Sequence, residues 1–145
     1  METPLTPLEF ARRSRKLYPE REAVVDGDLR LSYEQFFDRC DAWSAALQAL
    51  GVKQGDRVAY IAPNTHAQLE SFYAVPQIGA VLVPLNYRLT ADDFAYLIQH
   101  SGARVVCADI AVTLNGSIVF DLKSQRYPLS SRSAETSQGG WITRH

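Results

Sequence analysis

Apolar residues follow two alternating rhythms between Gly51 and Leu89. Residues 57–62 and 80–84 are short apolar runs of the kind that forms strands buried in a parallel sheet. Between them Leu69, Phe72, Tyr73 and Ile78 recur at helical spacing and are expected to give one helix its buried side. Strand, helix and strand in this order make a βαβ unit, because parallel strands need a crossover connection. Pro76 lies inside the helix and should kink or shorten it, since it lacks a backbone donor and crowds the preceding turn. Gly79 ends it. The run 80–84 is so uniformly apolar that it is expected to be covered on both faces.

The same reading extends to either side. Thr6-Pro7-Leu8-Glu9 offers a capping threonine, a proline at the first helical position and a glutamate at the third, so a helix is expected to about Leu17, stopping before Pro19. Residues 23–25 and 29–31 flank Asp26-Gly27-Asp28 and predict a β-hairpin. Ser32-Tyr33-Glu34-Gln35 is a capping box that opens a long helix. Its stripe carries Phe36, Phe37, Cys40, Trp43, Leu47 and Leu50, with Asp38, Arg39 and Gln48 largely off it and Gly51 at its left-handed end. Thr65 and Gln68 have capping-box spacing at the next helix. Thr90-Ala91-Asp92-Asp93 caps a further helix that turns Phe94, Leu97 and Ile98 inward, and Ser101-Gly102 ends it before a strand at 104–108.

Residues 1–109 are therefore expected to form an α/β fold of three layers, with a mostly parallel βαβαβ sheet and an N-terminal helix and β-hairpin in front of it. From about Ile110 the pattern breaks. Residues 110–145 read as a divergent tail, with a short hairpin expected at 112–120, where Asn115-Gly116 suits a type I′ turn. Beyond Lys123 the chain is rich in serine and arginine and poor in apolar residues, and disorder is expected.

Composition narrows the function classes. A chain of 145 residues that is 46% hydrophobic can bury one core. A formal charge of -1 leaves no footprint for nucleic acid or an anionic membrane, and no apolar run reaches transmembrane length. Arg12, Arg13, Arg15 and Lys16 read as a solvated helix face; Glu2 and Glu9, and the lack of an apolar run, argue against a targeting peptide. Cys40 and Cys107, both in apolar patterns, make neither a disulfide framework nor a metal site, and a cytoplasmic location fits them. His66, His100 and His145 show no ligand spacing and are expected at the surface.

Several stretches together carry a resemblance. Leu31-Ser32-Tyr33-Glu34-Gln35-Phe36 is similar to the first core motif of the AMP-forming, adenylate-forming superfamily of acyl- and aryl-CoA synthetases, luciferases and peptide-synthetase adenylation domains. That motif commonly runs Leu, Thr or Ser, Tyr, any residue, Glu, Leu; here the glutamate is shifted by one place and Phe36 stands for the leucine. Gly79-Ala80-Val81-Leu82-Val83-Pro84-Leu85-Asn86 is similar to the second core motif. Gly51-Val52, Gly55-Asp56-Arg57-Val58-Ala59, Pro63-Asn64 and Ser101-Gly102-Ala103-Arg104-Val105-Val106 resemble linking segments of the acyl-CoA synthetase branch. The resemblance covers residues 5–109, and its specificity lies in the order and spacing of the motifs.

It implies the N-terminal part of an ATP-dependent, AMP-forming acyl-CoA ligase acting on a fatty or aromatic carboxylic acid. In such enzymes the carboxylate attacks the ATP α-phosphate to give an acyl-adenylate and pyrophosphate. The thiol of CoA then displaces AMP, and Mg²⁺ offsets phosphate charge in the first step. It also implies a homodimer or a complementing subunit as partner.

The two motifs present are structural by their own chemistry, because Tyr33 opens a helix, Gly79 ends one and Pro84 terminates a strand. The family's catalytic parts resemble a Ser/Thr/Gly-rich phosphate loop ending in Pro-Lys-Gly, an acidic residue for the ribose and a C-terminal lysine. Gln138-Gly139-Gly140-Trp141 lacks a following Lys-Gly, Ser130-Ser131-Arg132-Ser133 lacks glycine, and no Walker loop or Rossmann fingerprint occurs. Asp92 and Asp93 suit the positive end of a helix dipole. His66 has no serine, cysteine or acid partner visible in sequence. Asn64 and Arg88 fall in loops at the carboxyl ends of strands, where α/β proteins bind ligands. No residue is assigned a catalytic, cofactor-binding or metal-ligating role, so the chain alone is expected to be inactive and to need no cofactor. It then reads as a truncated or frameshifted N-terminal fragment of a ligase. The alternative is a stand-alone, non-catalytic binding or interaction module, which would need residues 110–145 packed over an otherwise open sheet edge.

Overall fold

Local polar signals start two of the helices as the sequence predicts. The Gln35 backbone N–H donates to Ser32 Oγ at 3.3 Å and the Ser32 N–H to Gln35 Oε1 at 2.9 Å, closing the capping box of α2 (Tyr33–Ala49). Thr90 and Asp93 make the same reciprocal pair at the start of α4 (Ala91–Ser101). In α1 (Pro7–Leu17), Thr6 is extended but its hydroxyl makes no cap bond, and Pro7 alone marks the start. The remaining elements are β1 (Glu22–Asp26), β2 (Leu29–Ser32), β3 (Arg57–Ile61), α3 (His66–Gln77), β4 (Val81–Leu85), β5 (Val105–Ala108) and β6 (Ile118–Asp121). The computed structural model describes residues 6–108 and the backbone of residues 118–121.

The sheet runs in the order β4-β3-β5-β6. Strand β3 is central and parallel to both neighbours, with Ile61 opposite Leu85 on one side and Ala108 on the other. Strands β1 and β2 form a separate antiparallel hairpin. Alternation along β3 splits the core in two. Val58 and Tyr60 point to the layer of α2 and α3, where they meet Phe36, Cys40, Trp43, Leu47, Ala74 and Val75. Ala59 and Ile61 point the other way and pack with Val106, Ala108, Phe94 and Ile98 under α4. The result is the expected three-layer α/β fold.

At the amino ends of the strands, Arg57 ties the last turn of α4 to the sheet. Its guanidinium donates to the Ser101 carbonyl at 3.1 Å, the Gly102 carbonyl at 2.9 Å and the Gly55 carbonyl at 3.0 Å. Gly102 has φ +61°, so the backbone there calls for glycine, and a Cβ would stand 2.9 Å from Arg57 Nη2 and displace the guanidinium.

Three expectations about α3 and β4 need correction. First, Leu69 and Phe72 do not face the core: they are 40% and 46% exposed, while α3 buries Ala67, Gln68, Glu70, Ser71, Ala74 and Val75. On that buried side Glu70 Oε1 accepts from Nε of the part-buried Arg39 at 2.5 Å. Second, β4 is an edge strand with Val81 and Pro84 exposed, so its apolar run is not covered on both faces. Pro84 is tolerated there because an edge strand has one unpaired side. Third, Thr65 makes no side-chain cap bond to α3. Residues 118–121 form β6 and pair antiparallel with β5, from Val105 opposite Asp121 to Ala108 opposite Ile118. The hairpin's other arm at 112–114 and the expected disorder beyond Lys123 lie outside the described residues. Pro76 sits in the last turn of α3, which ends one residue later, as its geometry predicts.

Candidate functional site

The carboxyl ends of the parallel strands are where an α/β sheet offers a binding crevice. Because Ile61 and Leu85 are register partners, the loops that leave β3 and β4 start side by side. The first carries Asn64 and the second Arg88, both exposed. Arg88 is held locally: its backbone N–H donates to Asn86 Oδ1 at 3.1 Å, its Nε donates to Tyr87 Oη at 3.1 Å, and its guanidinium lies 5.3 Å from the centre of that ring.

The tip of the β1–β2 hairpin reaches the same end of the sheet and supplies what Thr65 does not. Asp26 Oδ2 accepts the His66 backbone N–H at 2.8 Å, and His66 Nδ1 lies 2.6 Å from the same oxygen. The hairpin aspartate thus caps α3 across the fold and gives His66 the acid partner that sequence reading did not find. Both groups are half-buried. The His66 backbone N–H, followed by its ring, holds the Asp26 carboxyl below the usual carboxylate range. Nothing local in the sequence signals this pair, because the residues are 40 positions apart.

The other candidates resolve to structural roles. Thr90 Oγ1 donates to Asp93 Oδ2 at 2.7 Å, and this bond, with the Thr90 N–H, lowers the Asp93 carboxyl. Asp92 is exposed beside it. His100 is exposed and stacks on Tyr96, ring centres 5.5 Å apart. Cys40 and Cys107 are free and buried. Burial pushes the Cys107 thiol up to about 12, and burial with the nearby Glu70 charge pushes Cys40 higher still, so neither is a nucleophile at neutral pH. Glu70 was not singled out by sequence; its only signal is that it is the sole carboxylate of α3.

Among the described residues no three histidine, cysteine or carboxylate side chains group as a metal site. No helix of the described residues is long and apolar enough to cross a membrane. The arrangement fixes loops at one end of the sheet and sets the His66 imidazole against the Asp26 carboxylate, with both thiols buried.

Comparison with known proteins places this scaffold. The AMP-binding enzyme family matches residues 11–138. The chain is 39% identical over 106 residues to the peroxisomal benzoate–CoA ligase of Arabidopsis thaliana, covering 73% of this chain and 18% of that protein. It is 40% identical over 105 residues to 4-hydroxybutyrate–CoA ligase 2 of Metallosphaera sedula, covering 72% and 19%. In structure it resembles a fatty acyl CoA synthetase of Mycobacterium tuberculosis with TM-score 0.69 and 31% identity, covering 73% of this chain and 22% of that one. The chain thus spans about a fifth of the length of the relatives it matches. With likeness in both sequence and fold, and a family match over most of its length, the chain belongs to the AMP-binding enzyme family.

Proposed function

We propose that this chain is the N-terminal, scaffold portion of an ATP-dependent, AMP-forming ligase that joins a fatty or aromatic carboxylic acid to CoA, and that it is inactive by itself. The carrying observation is the match to CoA ligases over about a fifth of their length. The state of the polar groups supports it, since Asp26, His66 and Asp93 are engaged in caps and both thiols are buried. A second polypeptide stretch then supplies the phosphate loop, the ribose-binding acid and the lysine. The two buried thiols suit a cytoplasmic setting, which belongs to the same proposal. The test is ATP–pyrophosphate exchange by the purified chain with Mg²⁺ and either benzoate or 4-hydroxybutyrate. No exchange above the acid-free blank is expected; acid-dependent exchange overturns the inactivity.

A second reading, a stand-alone interaction module, has one observation in its favour: β6 lies along β5 and closes that edge of the sheet. Cooperative unfolding with β5 and β6 amides protected together from hydrogen exchange supports the module. Exchange of β6 at the rate of an unfolded chain removes it.

A further inference from the structure

Helix α1 buries no residue completely and is held to α2 by charge: Arg15 reaches Asp38 and, at 2.6 Å, Asp41. Ala11, one turn earlier on the same side, packs against the core. These contacts fix which way the helix faces. Phe10 and Leu17 are seven positions apart and so lie in one row, at 61% and 51% exposure, and Tyr18 follows at 48%. Arg13 stands about one turn from each of the first two, with Lys16 beside it; both cations are exposed, and neither pairs with a carboxylate among the described residues. The Arg21 guanidinium lies 5.0 Å from the centre of the Tyr18 ring.

Residues 6–21 hold five arginines and lysines against two glutamates, in a chain whose net charge is -1. The whole-chain sum conceals this local excess. Other exposed apolar side chains lack such company. Leu69 and Phe72 stand on α3, which contains no lysine or arginine, and Tyr96 stands on α4 behind Asp92 and Asp93. Apolar tips ringed by cations on a surface helix suit the boundary between lipid headgroups and acyl chains, where long cationic side chains reach the phosphates.

We propose that the Phe10–Leu17 face of α1 is a docking surface for an anionic lipid bilayer, with the helix lying in the plane of the interface. The occupant follows from charge complementarity: Arg13, Lys16 and Arg21 meet lipid phosphates while Phe10, Leu17 and Tyr18 leave water between them. A nucleic acid would offer the phosphates and nothing for the apolar tips. Because Arg15 and Ala11 face the other way, docking leaves the clasp to α2 intact. The proposal does not depend on the ligase reading.

The test is cosedimentation of the purified chain with vesicles of phosphatidylglycerol and phosphatidylcholine in equal parts, against phosphatidylcholine alone. Binding to the anionic vesicles only is expected, with release at about 0.5 M salt, where charges are screened within a few ångströms. Arg13→Glu with Lys16→Glu should weaken binding at least about 30-fold, since each cation at such a surface contributes about a factor of five. Phe10→Ser with Leu17→Ser should weaken it more than about tenfold. Each pair should keep the melting midpoint within about 3 °C of the parent's, as exposed substitutions do; a larger fall overturns the proposal, because the face is then packed within the fold. Leu69→Ser with Phe72→Ser is the comparison and should bind as the parent does. The proposal is overturned by a chain that does not bind anionic vesicles, by equal binding to neutral ones, or by a Phe10 and Leu17 variant that binds like the parent. Loss of binding confined to the Leu69 and Phe72 variant overturns it as well. So does tighter binding to a DNA duplex than to the vesicles, since the patch then reads phosphate alone.

Discussion

Removing Arg39 tests what decides the orientation of α3. Glu70 Oε1 accepts from Arg39 Nε at 2.5 Å, and the glutamate and arginine side chains are 2% and 29% exposed. Arg39→Ala leaves a carboxylate in a low-dielectric interface without its partner, a change that typically costs about 3–5 kcal/mol. The partial exposure of Arg39 lets water approach the gap, so the lower end, about 3 kcal/mol, is expected here. For a folded region of this size that is a fall in melting midpoint of about 12–24 °C. Replacing both residues, Arg39→Met with Glu70→Leu, should recover most of the loss, because a buried ion pair and an apolar pair of similar volume are often close in stability. Urea titration followed by the fluorescence of Trp43, which is buried with its ring 5.2 Å from that of Tyr60, reads the cycle. An Arg39→Ala loss below about 1 kcal/mol, or a double variant as unstable as the single, refutes the argument that this pair fixes the inner face.

Three further outcomes are expected. Asp26→Asn should lower stability at neutral pH: a depressed carboxyl contributes above the ordinary carboxylate range and loses its contribution as pH falls through its lowered value. Melting curves of the two proteins should therefore converge in acid, and a constant difference at all pH values contradicts the carboxylate cap. Gly102→Ala should cost about 1–2 kcal/mol by urea unfolding, from its φ of +61° and the approach of Arg57 Nη2; a neutral substitution counts against the clasp. Native chain should show neither Cys40 nor Cys107 reacting with a disulfide reagent at pH 8, with both reacting in denaturant; rapid native labelling of either contradicts the burial.

What the sequence made legible was local. The capping boxes at Ser32 and Thr90 bind partners three residues away, so pattern and structure coincide. The stripe of α2 was legible because its apolar residues form one face and only that face is buried. Helix α3 was misread for a definite reason: periodicity finds an apolar face but cannot say that a second face is more deeply buried. Glu70 is paired inward with Arg39, 31 positions earlier, and that pairing has no trace in the spacing. The run at 80–84 likewise shows apolar character, but strand order decides whether a run is central or at an edge, and the order β4-β3-β5 comes from crossovers. The Asp26–His66 contact is a third case, built by bringing a hairpin tip to a helix start 40 residues away.

These long-range polar contacts have a common consequence for the chemistry. At the amino ends of the strands, Arg57 satisfies the carbonyls that close α4, and Arg104 Nη1 reaches Asp56 Oδ2 at 2.9 Å. At the carboxyl ends, Asp26 caps α3 and Asp93 caps α4. A group that acts on ATP must exchange its protein partner for substrate, and Arg57, Asp26 and Asp93 would each release a helix end in doing so. Asn64 and the guanidinium of Arg88 stand apart, since both are exposed in loops at the binding end of the sheet and no helix cap depends on either. In a Metallosphaera sedula ligase that carries this chain's residues in place of its 105 matched ones, Asn64→Ala or Arg88→Ala should raise the KM with the melting midpoint unchanged, whereas Asp26→Ala should lower the midpoint. A KM effect confined to the Asp26 variant reverses the assignment and makes the hairpin tip, not the loops, the part of this scaffold that meets the ligand.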